Sequence, residues 1–245
     1  MMKILFISLC FFLSCKSKVD LVPLSQLEEQ EARGLFQRHL MAIGGETALK
    51  AHSAMLIRGT LEELGKGKQN TFTIQKKAPN FYYIQINLLE LGIYERGFDG
   101  EIFWERTPRS AKMLTLEEAK PLLPSIDFYA DLNWIKWYPK IMYREVAEFG
   151  GEVVDILTVE NYYGQQEKII FSRDSGLKIG QIKNIGADNE TVIRFGQYII
   201  KNDVRIPMYI EEKLGDLHKI WLITSFTWDR SDVDFRPPPI LMEER

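Results

Sequence analysis

"RHLMAIGGETALKAHSAMLIRGTLE", residues 38 to 62, contains the change of period that decides the fold. Up to Ile43 the apolar positions recur at helical spacing, and Gly44-Gly45 stops that helix. Thr47 to Lys50 predicts one further helical turn. From Met55 the period becomes two. Met55, Ile57 and Leu61 alternate with Arg58, Thr60 and Glu62, which buries one face of a strand and wets the other.

Upstream, Leu27, Leu35, Phe36 and Leu40 carry the helical spacing back toward Ser25, and Ser25 with Glu28 forms a capping box. Downstream, strands are predicted over 71–77, 81–88, 93–98 and 101–106, with Asp99-Gly100 as a hairpin turn. A second series begins at Met142 and continues over 153–160, 166–171, 177–183, 191–200, 205–214 and 217–228. Gly150-Gly151, Asp174-Ser175-Gly176 and Gly215-Asp216 separate its members. Between the two series, the capping box Thr115-Leu116-Glu117-Glu118 opens a short helix through Leu123. Asp127 then caps a second helix, Phe128 to Tyr138, which Pro139 ends. The sequence thus predicts a mainly β chain: a single, strongly curved antiparallel sheet of about eleven strands, an N-terminal helix, and inserted helices that plug the open face. No glycine- or proline-rich linker divides residues 25–245, which read as one domain.

Both cysteines, Cys10 and Cys15, lie at the very start of the chain. Met1-Met2-Lys3 precedes an apolar run from Ile4 to Leu13, too short to span a membrane, which needs roughly 20 apolar residues. This describes a secretory signal over residues 1–14. Phe12-Leu13-Ser14-Cys15 resembles a bacterial lipobox with Phe12 in place of the usual Leu. Cys15 is then the acylated N-terminus and residues 15–24 a lipidated tether; an ordinary secretory signal cut nearby is the alternative. Several acyl chains on one cysteine hold a protein stably where a single chain does not. The formal charge of -3, with no basic patch, argues against a nucleic-acid partner.

The sequence offers little reactive chemistry. His39, His52 and His218 have no second ligand at metal spacing. There is no nucleophile elbow, phosphate loop or dinucleotide fingerprint. Glu62-Glu63, Glu117-Glu118 and Glu211-Glu212 are neighbours in sequence, and strand neighbours point to opposite faces, which makes poor acid/base pairs. No cofactor, metal or catalytic residue is expected, and the chain does not read as an enzyme. What remains is aromatic density, 12% of the residues, filling a core or lining a cavity for greasy cargo. The cavity and lid candidates are Ile57, Phe72, Ile74, Ile84, Ile86 and Trp104 on strands, with Phe128, Leu132, Trp134 and Ile135 on the inserted helix.

The quoted stretch also resembles the opening of LolA/LolB-like outer-membrane lipoprotein-sorting proteins. "GFDGEIFW", residues 97 to 104, is similar to their hairpin with Phe98 in place of a tyrosine. "FSRDSGLKIG", residues 171 to 180, resembles a second hairpin, and "VDFRPP", residues 233 to 238, their closing tail. The resemblance implies a half-open β-barrel with a helical lid that holds acyl chains and has no catalytic residues. With the lipobox, it implies an anchored lipoprotein facing the periplasm, in the outer membrane rather than the inner. The family's membrane-bound receptor also has a protruding loop with an apolar tip. "INLLELGIY", residues 86 to 94, is either that tip or a plain buried strand end. The function expected is binding of a lipid or lipoprotein acyl chain for transfer or presentation. The alternative is a filled-core scaffold that holds an envelope protein partner.

Overall fold

The structure, a computed structural model, describes residues 26–230 and 234–241. The signal, Cys15, the tether and the Ser25 cap lie outside the described residues. Helix α1 (Gln26–Ala42) ends at Gly44-Gly45, both at positive φ, and α2 (Gly45–Lys50) follows. Ala32, Leu35 and Phe36 of α1 are buried, and the ring of Phe36 stacks on Trp134 at 4.3 Å between centroids.

The first strand series is β1 (Ala54–Glu63), β2 (Lys68–Lys77), β3 (Phe81–Leu88), β4 (Gly92–Phe98), β5 (Phe103–Arg106) and β6 (Ala111–Met113). The second is β7 (Lys140–Phe149), β8 (Glu152–Glu160), β9 (Gln166–Ser172), β10 (Lys178–Lys183), β11 (Thr191–Lys201), β12 (Val204–Leu214) and β13 (Leu217–Trp228). All belong to one antiparallel sheet of 13 strands, ordered β6-β5-β4-β3-β2-β1-β13-β12-β11-β10-β9-β8-β7. Each series is a meander, and β1 pairing with β13 joins the two. The edge strands are β6 and β7, and the chain between them is the helical insertion. An open sheet whose two edges are linked by a plug is a half-open barrel.

The sheet has 13 strands against about eleven expected, and the spans named from the sequence cover all but one of them. The exception is β6, whose three residues are too few for alternation to be read. The insertion departs further. Thr115 and Glu118 do form the capping box, and α3 (Leu116–Ala119), a 3₁₀ turn at Lys120–Leu122 and α4 (Leu123–Ile126) follow. The predicted helix Phe128 to Tyr138 shrinks to α5 (Trp134–Trp137). Asp127 is the reason. Its Oδ1 accepts the Tyr129 N–H at 2.9 Å, and its Oδ2 accepts Asn133 Nδ2–H at 2.9 Å and Trp137 Nε1–H at 2.8 Å. A side chain that gathers donors two, six and ten residues on folds the segment into a knot of turns instead of capping a helix. Phe128, Leu132 and Ile135 therefore do not share one helical side.

Curvature comes from places where a side chain is missing. At Gly59 the β1–β13 register slips, and a Cβ there would lie 2.1 Å from the Leu222 carbonyl oxygen and 2.7 Å from the Phe72 ring. At Gly97 the cross-strand Trp104 ring occupies the place of a side chain, 2.4 Å from where a Cβ would stand. Bulges and glycines of this kind bend a sheet and let it curl. Trp104 also donates from Nε1 to the Phe235 carbonyl at 3.0 Å, and packs with Tyr83, Phe235 and Leu241. The "FRPP" tail thus covers the convex face at this hairpin.

Candidate functional site

Two neighbouring cavities lie between the concave face and the helices. The first, about 240 Å³, is apolar. Met55 and Ile57 of β1, Val204 and Ile206 of β12, and Ile223 and Phe226 of β13 form its wall. On β1 and β12 these inward positions follow period-two alternation, and on β13 the register slip opposite Arg58 and Gly59 brings Ile223 and Phe226, three residues apart, to the same side. Ile43 and Leu49 from the helices, with Phe128 and Tyr129 from the insertion, close it from above. The Tyr129 hydroxyl donates to the His52 carbonyl at 2.9 Å, and the Phe128 N–H to the Pro79 carbonyl at 3.0 Å, which ties this roof to the sheet.

The second cavity, about 400 Å³, lies under Pro121, Pro124, Ser125 and Ala130 and has a different character. Lys76, Lys178, Lys183, Glu167 and Gln181 face it, alongside the rings of Trp134, Trp137 and Tyr138. His39, Asp131, Lys178, Phe195 and Ile210 border both cavities. These volumes bracket the low end of ordinary small-ligand pockets, about 300–1,000 Å³.

The electrostatics at the junction follow from enclosure. His39 is buried, and its Nδ1 accepts the Lys178 N–H at 3.0 Å, so Nε2 carries the proton and faces Asp131 Oδ1 at 3.7 Å. Burial alone pushes the Asp131 carboxyl up, but the His39 N–H and the nearby Lys178 and Lys76 ammoniums outweigh it. The carboxyl is held well below its ordinary 3.8. Burial pulls Lys76 down from its ordinary 10.5 to about 8, against the opposing pull of Asp131 and Asp127. Its ammonium donates to the Ser125 carbonyl. Glu167 accepts from Asn161 Nδ2 at 2.7 Å and from Gln181 Nε2 at 2.6 Å. Gln181 Nε2 also reaches the Tyr138 hydroxyl at 3.1 Å, and burial raises that hydroxyl far above its ordinary value.

Among the described residues no three His, Cys, Asp or Glu side chains gather as a metal site. His52 pairs with Asp229 and His218 with Glu211, each at 2.7 Å, and neither pair borders the two cavities. No helix among the described residues is long and apolar enough to cross a membrane.

No protein-family model matches the chain, and no curated protein matches it by sequence. Solved structures do. A LolA superfamily protein from Nitrosomonas europaea superposes with a TM-score of 0.58 at 9% identity, over 84% of this chain and 97% of that one. A DUF1329 family protein from Desulfovibrio piger gives 0.59 at 9% identity, over 83% and 96%. The chain has the LolA-like fold. An outer membrane lipoprotein-sorting domain from Vibrio parahaemolyticus, with a TM-score of 0.50 at 8% identity over 81% and 95%, shares it.

Within the LolA-like frame the predicted residues separate into groups. Ile57 walls the apolar cavity and Phe128 roofs it. Phe72, Ile84 and Ile86 pack with Leu61 and Ile223, and Ile74 joins them partly buried; this cluster continues the concave wall beyond the cavity. Trp134 faces the polar cavity with its ring against Phe36. Leu132 borders neither cavity, and Ile135 is 55% exposed. Trp104 lies on the convex face, because it pairs across to Gly97 and not toward Phe98 and the insertion.

Val204 and Ile206, whose alternation on β12 is visible in the sequence, also wall the cavity, as does Phe226, which the β13 register slip brings inward. The lysines, too, lie outside the set expected from the sequence. Lys76 stands two residues beyond Ile74 and four beyond Phe72, so period two places it on the same inward face. At the β3–β4 tip, Leu89 and Leu91 are 52% and 65% exposed, so "INLLELGIY" ends in an apolar tip and not a buried strand end.

Proposed function

We propose that this chain is a non-catalytic bacterial envelope protein that takes an acyl chain, of a lipid or a lipoprotein, into the apolar cavity for transfer or presentation. The observation that carries the reading is that cavity: aliphatic and aromatic side chains from β1, β12 and β13 surround about 240 Å³ beneath a roof of only a few residues. A well-formed apolar space with few polar groups is the ordinary form of a site for a greasy ligand. The fold shared with a lipoprotein-sorting domain supports the same reading. A lipid on Cys15 would tether the domain to the membrane surface, facing the periplasm. The exposed Leu89 and Leu91 would then meet either the bilayer or an envelope partner. The scaffold alternative, with a filled core, has the cavity against it.

The test is a thermal melt of the domain with increasing hexadecanoate, below its micelle concentration. Binding to the folded state alone raises the melting temperature with the logarithm of ligand concentration. A melting temperature that does not move, with no displacement of an apolar fluorescent probe, would remove the acyl-chain reading and restore the scaffold.

A further inference from the structure

Three lysines gather at the polar cavity. Lys50, Lys66, Lys68, Lys112, Lys120 and Lys140 pair with carboxylates within 4 Å, although all are well exposed. Lys76, Lys178 and Lys183 are part-buried and face the same cavity, and among the described residues none of them has a carboxylate within that distance. Lys76 rests on a carbonyl oxygen, and Lys178 sits over the Phe195 ring at 5.2 Å. The carboxylates that share the cavity touch other donors, although Asp131 acts on Lys76 and Lys178 from beyond ion-pair distance. Asp131 faces His39 Nε2, and Glu167 takes two amide donors. Taking an ammonium out of water without a counter-charge is costly, so evolution tolerates it most readily where a ligand supplies the charge.

Resting on the acyl-chain reading of the apolar cavity, we propose that the ligand is an amphiphile with an anionic head, a carboxylate or phosphate. The head is held in the polar cavity by Lys76, Lys178 and Lys183, and the tail enters the apolar one. Lys178, on the border of both, meets the point where head joins tail. An ammonium with no carboxylate in contact gains from an incoming anion without first breaking an ion pair. The Trp134 and Trp137 rings and Pro121 and Pro124 border the same cavity, and their apolar surface lowers the local polarity around the contact.

The experiment measures displacement of an uncharged fluorescent probe from the intact domain by four ligands with the same sixteen-carbon tail. These are hexadecanoate, hexadecyl phosphate, the uncharged monoglyceride and a hexadecyl trimethylammonium salt. Both anions should bind about tenfold or more tightly than the monoglyceride, a difference of one well-placed charge contact, and the cation more weakly. The stronger of the two anions distinguishes a carboxylate from a phosphate head. Lys76→Met and Lys183→Gln should shrink the ratio of anion to monoglyceride affinity, and a ratio unchanged in both would overturn the lysine assignment. Equal affinity of all four ligands for the wild type would overturn the anionic head and leave the acyl-chain reading standing. Displacement by none of them would sink both.

Discussion

At the β7–β9 end of the concave face, Leu157, Val159 and Ile169 are wholly buried beneath α1 and Trp134. In the middle of the sheet, at β12, β13 and β1, Ile57, Met55 and Met208 are only partly buried, and Met55 and Ile57 border the apolar cavity. The residue types are the same in both regions, and the difference is in what covers them. The first is covered by a helix of 17 residues whose Ala32, Leu35 and Phe36 interlock with the sheet. The second is covered by a six-residue helix and a turn, which cannot follow the curve of the strands closely. A half-open barrel whose β7–β9 edge is covered by a long helix keeps a stable core there, while the middle of the sheet is covered less closely and can take a guest.

That contrast can be broken by mutation, and the largest effect belongs to the β7–β9 edge. Trp134→Ala removes a nearly wholly buried ring stacked on Phe36 and should cost roughly 3 kcal/mol in denaturant unfolding, the low end for a large aromatic because its other side borders the polar cavity. A loss near 1 kcal/mol would mean that the two regions are packed alike.

Lys76 gives the next effect, through pH. Its folded-state value is drawn down from 10.5 to about 8. Between those two values the unfolded chain holds more protons than the folded one, so stability should rise as pH increases through that window. Asp127, Asp131 and Lys178 act on the same ammonium and set its size. Lys76→Met should flatten the rise in a series of melts, and a wild-type curve already flat from pH 8 to 10 would contradict the enclosure of this side chain.

Ile57→Ala sharpens the comparison most finely. Next to a space that is already there, it should cost only about 1 kcal/mol, well under the usual range for a packed core position, yet weaken hexadecanoate binding. The smallest effect is expected for Leu89→Ser with Leu91→Ser. Both side chains are more than half exposed, so unfolding should be unchanged within about 0.5 kcal/mol. Binding to lipid vesicles, in contrast, should drop.

The sequence shows the sheet well and the site poorly, for physical reasons. Alternation is a property of each strand by itself, so Met55, Ile57 and Leu61 declare their face without reference to neighbours. The glycines in "AIGG" and "FDG" declare their turns in the same way. The lid is set by long-range donors. Asp127 looks like a helix cap until Asn133 and Trp137 are known to converge on it. Trp104 is inward or outward according to the parity of a strand only four residues long, and Gly97 opposite it decides the matter. Whether Ile57 lines a space or fills one depends on how closely α2 and the loop at Phe128 approach it, which no local pattern records.

The most direct measurement is of the ligand in place. Hexadecanoate labelled with carbon-13 along its tail, bound to the domain, should give NMR cross-peaks from its terminal methyl to the methyl groups of Ile57, Ile206 and Ile223, which wall the apolar cavity. Cross-peaks to Leu89 and Leu91 instead, or none to any of these side chains at saturating ligand, would contradict a half-barrel built to hold an acyl chain between β1, β12 and β13.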